Sequence, residues 1–179
     1  LGLPSDRQYI MFAAMDPASE ERKGFRHLEM ALTRMRSGTQ TQLAVLVAGK
    51  RPADPDSWLA GIETHLLGQL SDDISLQLAY SAADVFVAPS IQDNLPNAVA
   101  EALACGTPCV AFRIGGMPDM IRHMENGYLA EPFDARDFAR GLQWVLEDLP
   151  RLAEMREKAR AASVSLFSED AQCALYLAV

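Results

Sequence analysis

The stretch from Asp84 to Gly116, DVFVAPSIQDNLPNAVAEALACGTPCVAFRIGG, leaves few folds open. It begins with a run of apolar residues, Val85 to Ala88. A strand buried on both faces of a parallel sheet has that composition, whereas a half-exposed strand alternates. Pro89 and Ser90 end the run, and Ile91 to Asn94 read as a loop. Pro96 falls where a helix tolerates proline, in its first turn. Asn97 to Ala104 then reads as helix, with Gly106 as its C-terminal stop. Pro108 to Phe112 is a second apolar strand, closed by Gly115 and Gly116. The order is strand, loop, helix, strand, and the loop lies at a strand's carboxyl end. In open α/β sheets ligands bind at that edge.

The predicted helix is apolar nearly all round, through Ala98, Val99, Ala100, Ala102, Leu103, Ala104 and Cys105. Such a helix is expected to be buried. Glu101 sits in its middle, and a buried carboxylate without a donor is costly. Glu101 is therefore expected to be paired, either with the protein or with a ligand. Asn97 is four residues earlier and shares its face. Asp93 lies eight residues upstream of Glu101, just before the helix start. A helix N-terminus attracts anions. Two acids bracketing one suit a ligand with an anionic middle and hydroxyls at both ends, as in a nucleotide sugar.

The rest of the chain repeats the alternation. Strands are expected at Tyr9–Ala14, Leu43–Ala48, Ile62–Leu67 and Tyr128–Ala130, and helices at Gly24–Met35, Ile74–Ala82, Asp134–Leu146, from Pro150 to Arg160, and at 168–179. Leu1 to Arg7 reads as a linker, Asp16 to Arg22 as a polar loop, and 49–57 as a loop. A short helix opened by Pro118-Asp119 is expected to run to His123, with Asp119 as its cap. Ser71-Asp72-Asp73 has cap chemistry. His65 and His123 read as structural and surface residues. Strands alternating with helices imply an α/β fold, a doubly wound parallel sheet covered on both faces, in one domain over 1–179. The apolar fraction of 49% suffices for one core. A net charge of −8 makes nucleic acid and anionic membrane poor partners, and any anion site must be made locally. Cys105, Cys109 and Cys173 form no C-x-x-C pair, which fits reduced thiols and a cytoplasmic setting. No apolar run reaches membrane-spanning length, and no secretory signal segment opens the chain. The chain begins without methionine and is expected to be an excised domain.

Asp93 and Glu101, followed by Ala104-Cys105-Gly106-Thr107-Pro108 and Gly115-Gly116, resemble the donor-binding signature of the group 1 retaining glycosyltransferases, which have a GT-B fold. That signature is two glutamates separated by seven residues, an A-C-G-x-P strand entry and a G-G loop. The resemblance covers nearly the whole chain but only one of the family's two Rossmann-like domains, the C-terminal one. It implies that Lys23, in the Lys23-Gly24 pair opening the first helix, reaches the donor diphosphate. Relatives place an arginine a few residues earlier; here Arg22 is the nearby substitute. It implies that Glu101 accepts from the ribose hydroxyls and that Asp93 holds hydroxyls of the transferred sugar. Further donor contacts follow at Asn94, Leu95, and the amides of Asn97 and Ala98. Leu67 and Gly68 would lie against the base. Arg113 is a weaker candidate for a donor contact. Asp93 is one carbon shorter than the family glutamate, about 1.5 Å of reach, and Pro96 lacks an amide hydrogen where relatives often have glycine.

The implied reaction moves a sugar from a UDP- or GDP-linked donor to an acceptor hydroxyl with retained configuration, in polysaccharide or glycoconjugate synthesis. No bound metal or other cofactor is expected. The acceptor would be read by an N-terminal domain that this sequence lacks, so little turnover is expected from the chain alone. Any membrane contact is expected only through that missing half, and the terminal helix is expected to pack on it. Two alternatives stay open at this point: a sugar-nucleotide 2-epimerase of the same fold, and a module that binds nucleotide sugar without transferring it. A dinucleotide redox domain is disfavoured, because no G-x-G-x-x-G follows the first strand.

Overall fold

A computed structural model of the chain describes residues 2–16, 19–35, 42–51, 59 and 61–177. The apolar runs become the strands β1 (Gln8–Ala13), β2 (Leu43–Ala48), β3 (Glu63–Gly68), β4 (Val85–Ala88), β5 (Cys109–Phe112) and β6 (Gly127–Ala130). The helices are α1 (Phe25–Met35), α2 (Asp73–Ala82), α3 (Asn97–Ala104), α4 (Met117–Met120), α5 (Ala135–Leu146), α6 (Leu149–Phe167) and α7 (Glu169–Leu177). Every expected strand is present within a residue or so of its expected ends. Of the loop expected over 49–57, only Gly49, Lys50 and Arg51 are among the described residues.

The strands pair in parallel throughout, in the order β3-β2-β1-β4-β5-β6. Side chains alternate across each strand. Ile10, Phe12, Val45, Val47, Val85, Val87, Val110 and Phe112 meet one layer, containing α1 and α5. Tyr9, Met11, Ala44, Leu46, Phe86, Ala88, Cys109 and Ala111 meet the other, containing α2, α3 and α4. This two-sided burial explains why β2, β4 and β5 read as unbroken apolar runs, whereas the edge strand β3 is mixed in composition and only partly buried. Each large side chain fully buried in this way contributes on the order of 1.5–3 kcal/mol.

Capping follows the polar residues at helix starts. The carboxylates of Asp72, Asp134 and Asp148 accept from backbone amides in the first turns of α2, α5 and α6. Those amides hold the Asp72 and Asp134 carboxyls below the usual carboxylate range. Three boundaries differ from expectation. A 3₁₀ turn at Glu21–Lys23 occupies the end of the expected polar loop. Helix α6 runs seven residues beyond Arg160, to Phe167. Helix α4 ends at Met120, and Asp119 lies inside it without capping it.

The strand order reverses beside β1. From β1 the chain goes outward to β2 and β3, then returns to place β4 on the other side of β1. The loops leaving β1 and β4 therefore lie on either side of the point where the order reverses. In doubly wound sheets ligands bind outside the strands' carboxyl ends at that point.

Candidate functional site

Lys23 comes to the switch point from the β1 side and Asp93 from the β4 side. The 3₁₀ turn carries Lys23, and Gly24 ends that turn at φ 71°. A Cβ on Gly24 would lie 1.8 Å from the carbonyl oxygen of Pro89, so the two loops touch through backbone. The amide of Ile91 donates to the carbonyl of Arg22 at 2.8 Å, which joins them.

Across this junction Lys23 Nζ donates to Asp93 Oδ2 at 2.8 Å. The side chains are 18% and 13% exposed. Ser90 Oγ lies 3.5 Å from the same oxygen, and an Arg22 guanidinium nitrogen 3.9 Å. An exposed ion pair is worth roughly 0–1 kcal/mol. Removing one partner here strands the other's charge in a mostly buried position, which costs more. Arg22 is more exposed, and its stronger bond runs to Glu20 Oε2 at 2.9 Å. Glu20 in turn accepts from the Asp16 amide at 2.8 Å.

The Asp93 loop rests on the pair of glycines after β5. The Gly116 amide donates to Asn94 O at 2.7 Å. A Cβ on Gly115 would stand 2.0 Å from Asp93 O, and one on Gly116 2.3 Å from Asn94 O. The G-G element is thus a seat for the acidic loop. Asp93 does not cap α3: its N-cap is Pro96, and no side chain bonds to the first turn. The amides of Asn97 and Ala98 have no helical acceptor, as at any helix start.

Glu101 departs from expectation. It is exposed, as are Asn94, Leu95 and Asn97, while Ala98 is partly buried. Helix α3 buries Val99, Ala102 and Leu103 against the sheet and α6, leaving the Asn97–Glu101 face open. Alanine tolerates either environment, so an alanine-rich helix reads as more deeply buried than it is. The expected donor does exist within the protein: the Tyr80 hydroxyl donates to Glu101 Oε2 at 2.9 Å.

The structure does not bring every expected residue together. Leu67 and Gly68 end β3, which β2 and β1 separate from β4. Leu67 packs with the layer that holds α3, and the Gly68 carbonyl accepts from the Gly49 amide at 2.8 Å. Arg113 lines a cleft with His123, Tyr128, Glu131 and Asp137, a lining that does not include Asp93. His123 Nδ1 accepts from the Leu129 amide at 3.1 Å. His65 is held beside Glu63 at 2.9 Å. Sequence reasoning missed Tyr80 and Ser90. The partners of Tyr80 lie 21 and 27 residues along the chain, so no local pattern marks it.

A parallel doubly wound sheet with a cation and two acids at its switch region defines a class: one Rossmann-like half of a GT-B glycosyltransferase. The sequence pattern of the family "Glycosyl transferases group 1" matches residues 7–148, and the chain belongs to that family. Among curated proteins it is 33% identical over 124 residues to a sulfoquinovosyl transferase of Arabidopsis thaliana, covering 68% of this chain and 24% of that protein. It is 31% identical over 141 residues to the 2-deoxystreptamine glucosyltransferase of Streptomyces kanamyceticus, covering 75% and 36%. Among solved structures, the sucrose-phosphate synthase of Thermosynechococcus elongatus superposes with a TM-score of 0.76 at 27% identity, over 98% of this chain and 46% of that one. The C-terminal domain of a group 1 glycosyl transferase from Francisella tularensis superposes at 0.74 and 19% identity, over 93% and 89%, and shows the same fold. Anabaena HepE, solved with UDP and glucose, superposes at 0.79 and 20% identity, over 97% and 49%. The chain thus spans roughly a quarter to a third of those curated relatives and about half of the longer solved chains.

Proposed function

We propose that this chain is the donor-binding domain of a retaining glycosyltransferase, which moves a sugar from a nucleoside-diphosphate sugar to an acceptor hydroxyl. The observation that carries the reading is the Lys23–Asp93 pair, which spans the two loops of the switch point at 2.8 Å. It sets a cation beside an acid at the edge where doubly wound sheets take ligands. Family membership supports the transferase class.

In this reading Lys23 meets the diphosphate, and the unbonded amides of Asn97 and Ala98 add donors to it. Charge grows on the diphosphate as the glycosidic bond breaks. Fixed donors aimed at that charge lower the barrier without reorganising. Arg22 is a secondary cation, released from Glu20 when it contributes. The contacts of Asp93 fall on Oδ2, leaving Oδ1 to accept from hydroxyls of the transferred sugar. Asn94 and Leu95 flank that sugar, and Glu101 accepts from the ribose. Leu67 and Gly68, on the far side of β1, are weaker candidates for the base. No metal is required, because the cations and amides supply the charge. The acceptor is read by a further domain of the longer enzyme, and on this proposal the chain alone binds donor without turning it over. The shared fold with an isolated C-terminal domain of a group 1 glycosyl transferase supports a place in the C-terminal half of such an enzyme.

Calorimetric titration of the chain with UDP, GDP and ADP, then with their sugars, tests the proposal. One base is expected to bind measurably. Lys23→Ala is expected to weaken the matching diphosphate about 10- to 100-fold, the worth of one hydrogen bond to a charged group. The bare nucleoside should change less than about twofold, because it has no phosphate to lose. Equal losses for both would remove Lys23 from the phosphate role, and no binding of any nucleotide would overturn the reading.

A further inference from the structure

Tyr80, on α2, is 2% exposed. Three contacts hold it. Its ring stands edge-on to Phe86, centroids 5.5 Å apart at 70°. Its carbonyl accepts from Thr107 Oγ1 at 2.7 Å, and Thr107 is itself fully buried. Its hydroxyl donates to Glu101 Oε2 at 2.9 Å. The Thr107 amide donates to Ala102 O at 2.9 Å. A closed brace thus runs from the end of α3 through Thr107 to α2, and back through the phenol to the middle of α3.

Glu101 is otherwise a side chain on an open helix face. A free glutamate there would sample several rotamers, and ordering it would oppose ligand binding. We propose that Tyr80 is the positioning residue of the donor site, holding the Glu101 carboxylate in one orientation so that it meets a vicinal diol, the 2′- and 3′-hydroxyls of a nucleotide ribose. The inference rests on the donor-site reading above and adds to it how the ribose acid is held.

Acceptor capacity supports it. An ionised carboxylate offers about four lone-pair sites, and the phenol takes one. Enough remain for both hydroxyls of a diol. The phenol also stays a donor, since burial and the adjoining carboxylate push its pKa above the ordinary tyrosine range. It cannot exchange roles with the ligand by ionising.

The test is titration of the wild type, Tyr80→Phe, Glu101→Ala and the double variant with UDP and with 2′,3′-dideoxy-UDP; if the base is not uracil, the matching pair serves. Tyr80→Phe is expected to weaken the ribonucleotide about 5- to 20-fold, within the worth of one charged hydrogen bond, and the dideoxy form less than about twofold. The double variant should bind no more weakly than Glu101→Ala. Equal losses on both nucleotides, or none on either, would overturn the inference, since a merely structural tyrosine ignores the diol. Glu101→Ala serves as the separate check. If it leaves the preference for ribose intact, the donor-site reading fails; if it abolishes that preference while Tyr80→Phe does not, only the positioning role fails. Should Tyr80→Phe not fold, proton exchange at the Tyr80 hydroxyl of the wild type replaces it. That proton is expected to stay protected when UDP binds, and its release on binding would overturn the role.

Discussion

Gly115 and Gly116 show how closely single residues are constrained here. Each lies where a methyl group would overlap backbone oxygen of the Asp93–Asn94 loop. Gly115 adds a left-handed φ of 48°, unfavourable for any residue with a Cβ. Gly116→Ala is expected to destabilise the chain by about 1–3 kcal/mol, the usual range for overpacking a tight contact. Because the displaced loop carries Asp93 and not Glu101, binding should suffer unevenly. The variant should lose more affinity for a nucleotide sugar than for the bare diphosphate, measured by calorimetry beside the melting temperature. Equal weakening of both would mean the glycines support the whole crevice. From sequence the pair reads as a strand ending. That its purpose is to seat an acidic loop about twenty residues upstream depends on strand order, which no local spacing encodes.

At the scale of elements, helix α1 carries a titratable group at its start. His27 packs edge-on to Phe112, centroids 5.2 Å apart, and near Phe133. Its Nδ1 is buried without a hydrogen-bond partner, beside a cleft of about 420 Å³ shared with Glu20, Phe25 and Ile91. Burial holds its imidazole below the ordinary histidine value of 6.5, and the positive end of α1 opposes protonation in the same sense. The folded state therefore binds fewer protons than the unfolded one. Its contribution is fully present above pH 6.5 and is lost as pH falls through the folded value. His123, also lowered by burial, adds a contribution of the same sign. The melting temperature should fall from about pH 7.5 to about pH 5.5, and by less in His27→Phe. An unchanged fall would assign the effect elsewhere. The elements were legible because each obeys a local rule: apolar runs for strands buried on both faces, acids at helix starts, glycine past helix ends. The 3₁₀ turn under Lys23 was not, because Glu21-Arg22-Lys23 has no apolar period. Neither was the exposure of Glu101, because alanine does not report which face of α3 is covered.

For the whole molecule, sheet order and net charge bear on the ligand in opposite directions. The order β3-β2-β1-β4-β5-β6 brings Lys23 and Asp93 together although they are seventy residues apart in the chain. Yet the chain carries 24 acidic and 16 basic residues. The mouth itself holds Asp16, Glu20, Glu21, Asp93 and Glu101 against Arg22, Lys23 and Lys50, and all three of those cations are already paired at 2.8–3.2 Å. A diphosphate approaching from afar meets a negative field, and only within contact distance does Lys23 prevail. Salt shortens the field's reach to about 8 Å at physiological ionic strength and screens a short, partly buried contact far less. The association rate of a UDP analogue is therefore expected to rise as salt increases from about 10 to about 150 mM, with little change in the dissociation rate. Most anion sites behave the opposite way, so stopped-flow measurement gives a clear sign. An association rate that falls with salt would mean that the cations at the switch point dominate even at a distance, and that the acids around them are neutralised by one another's partners.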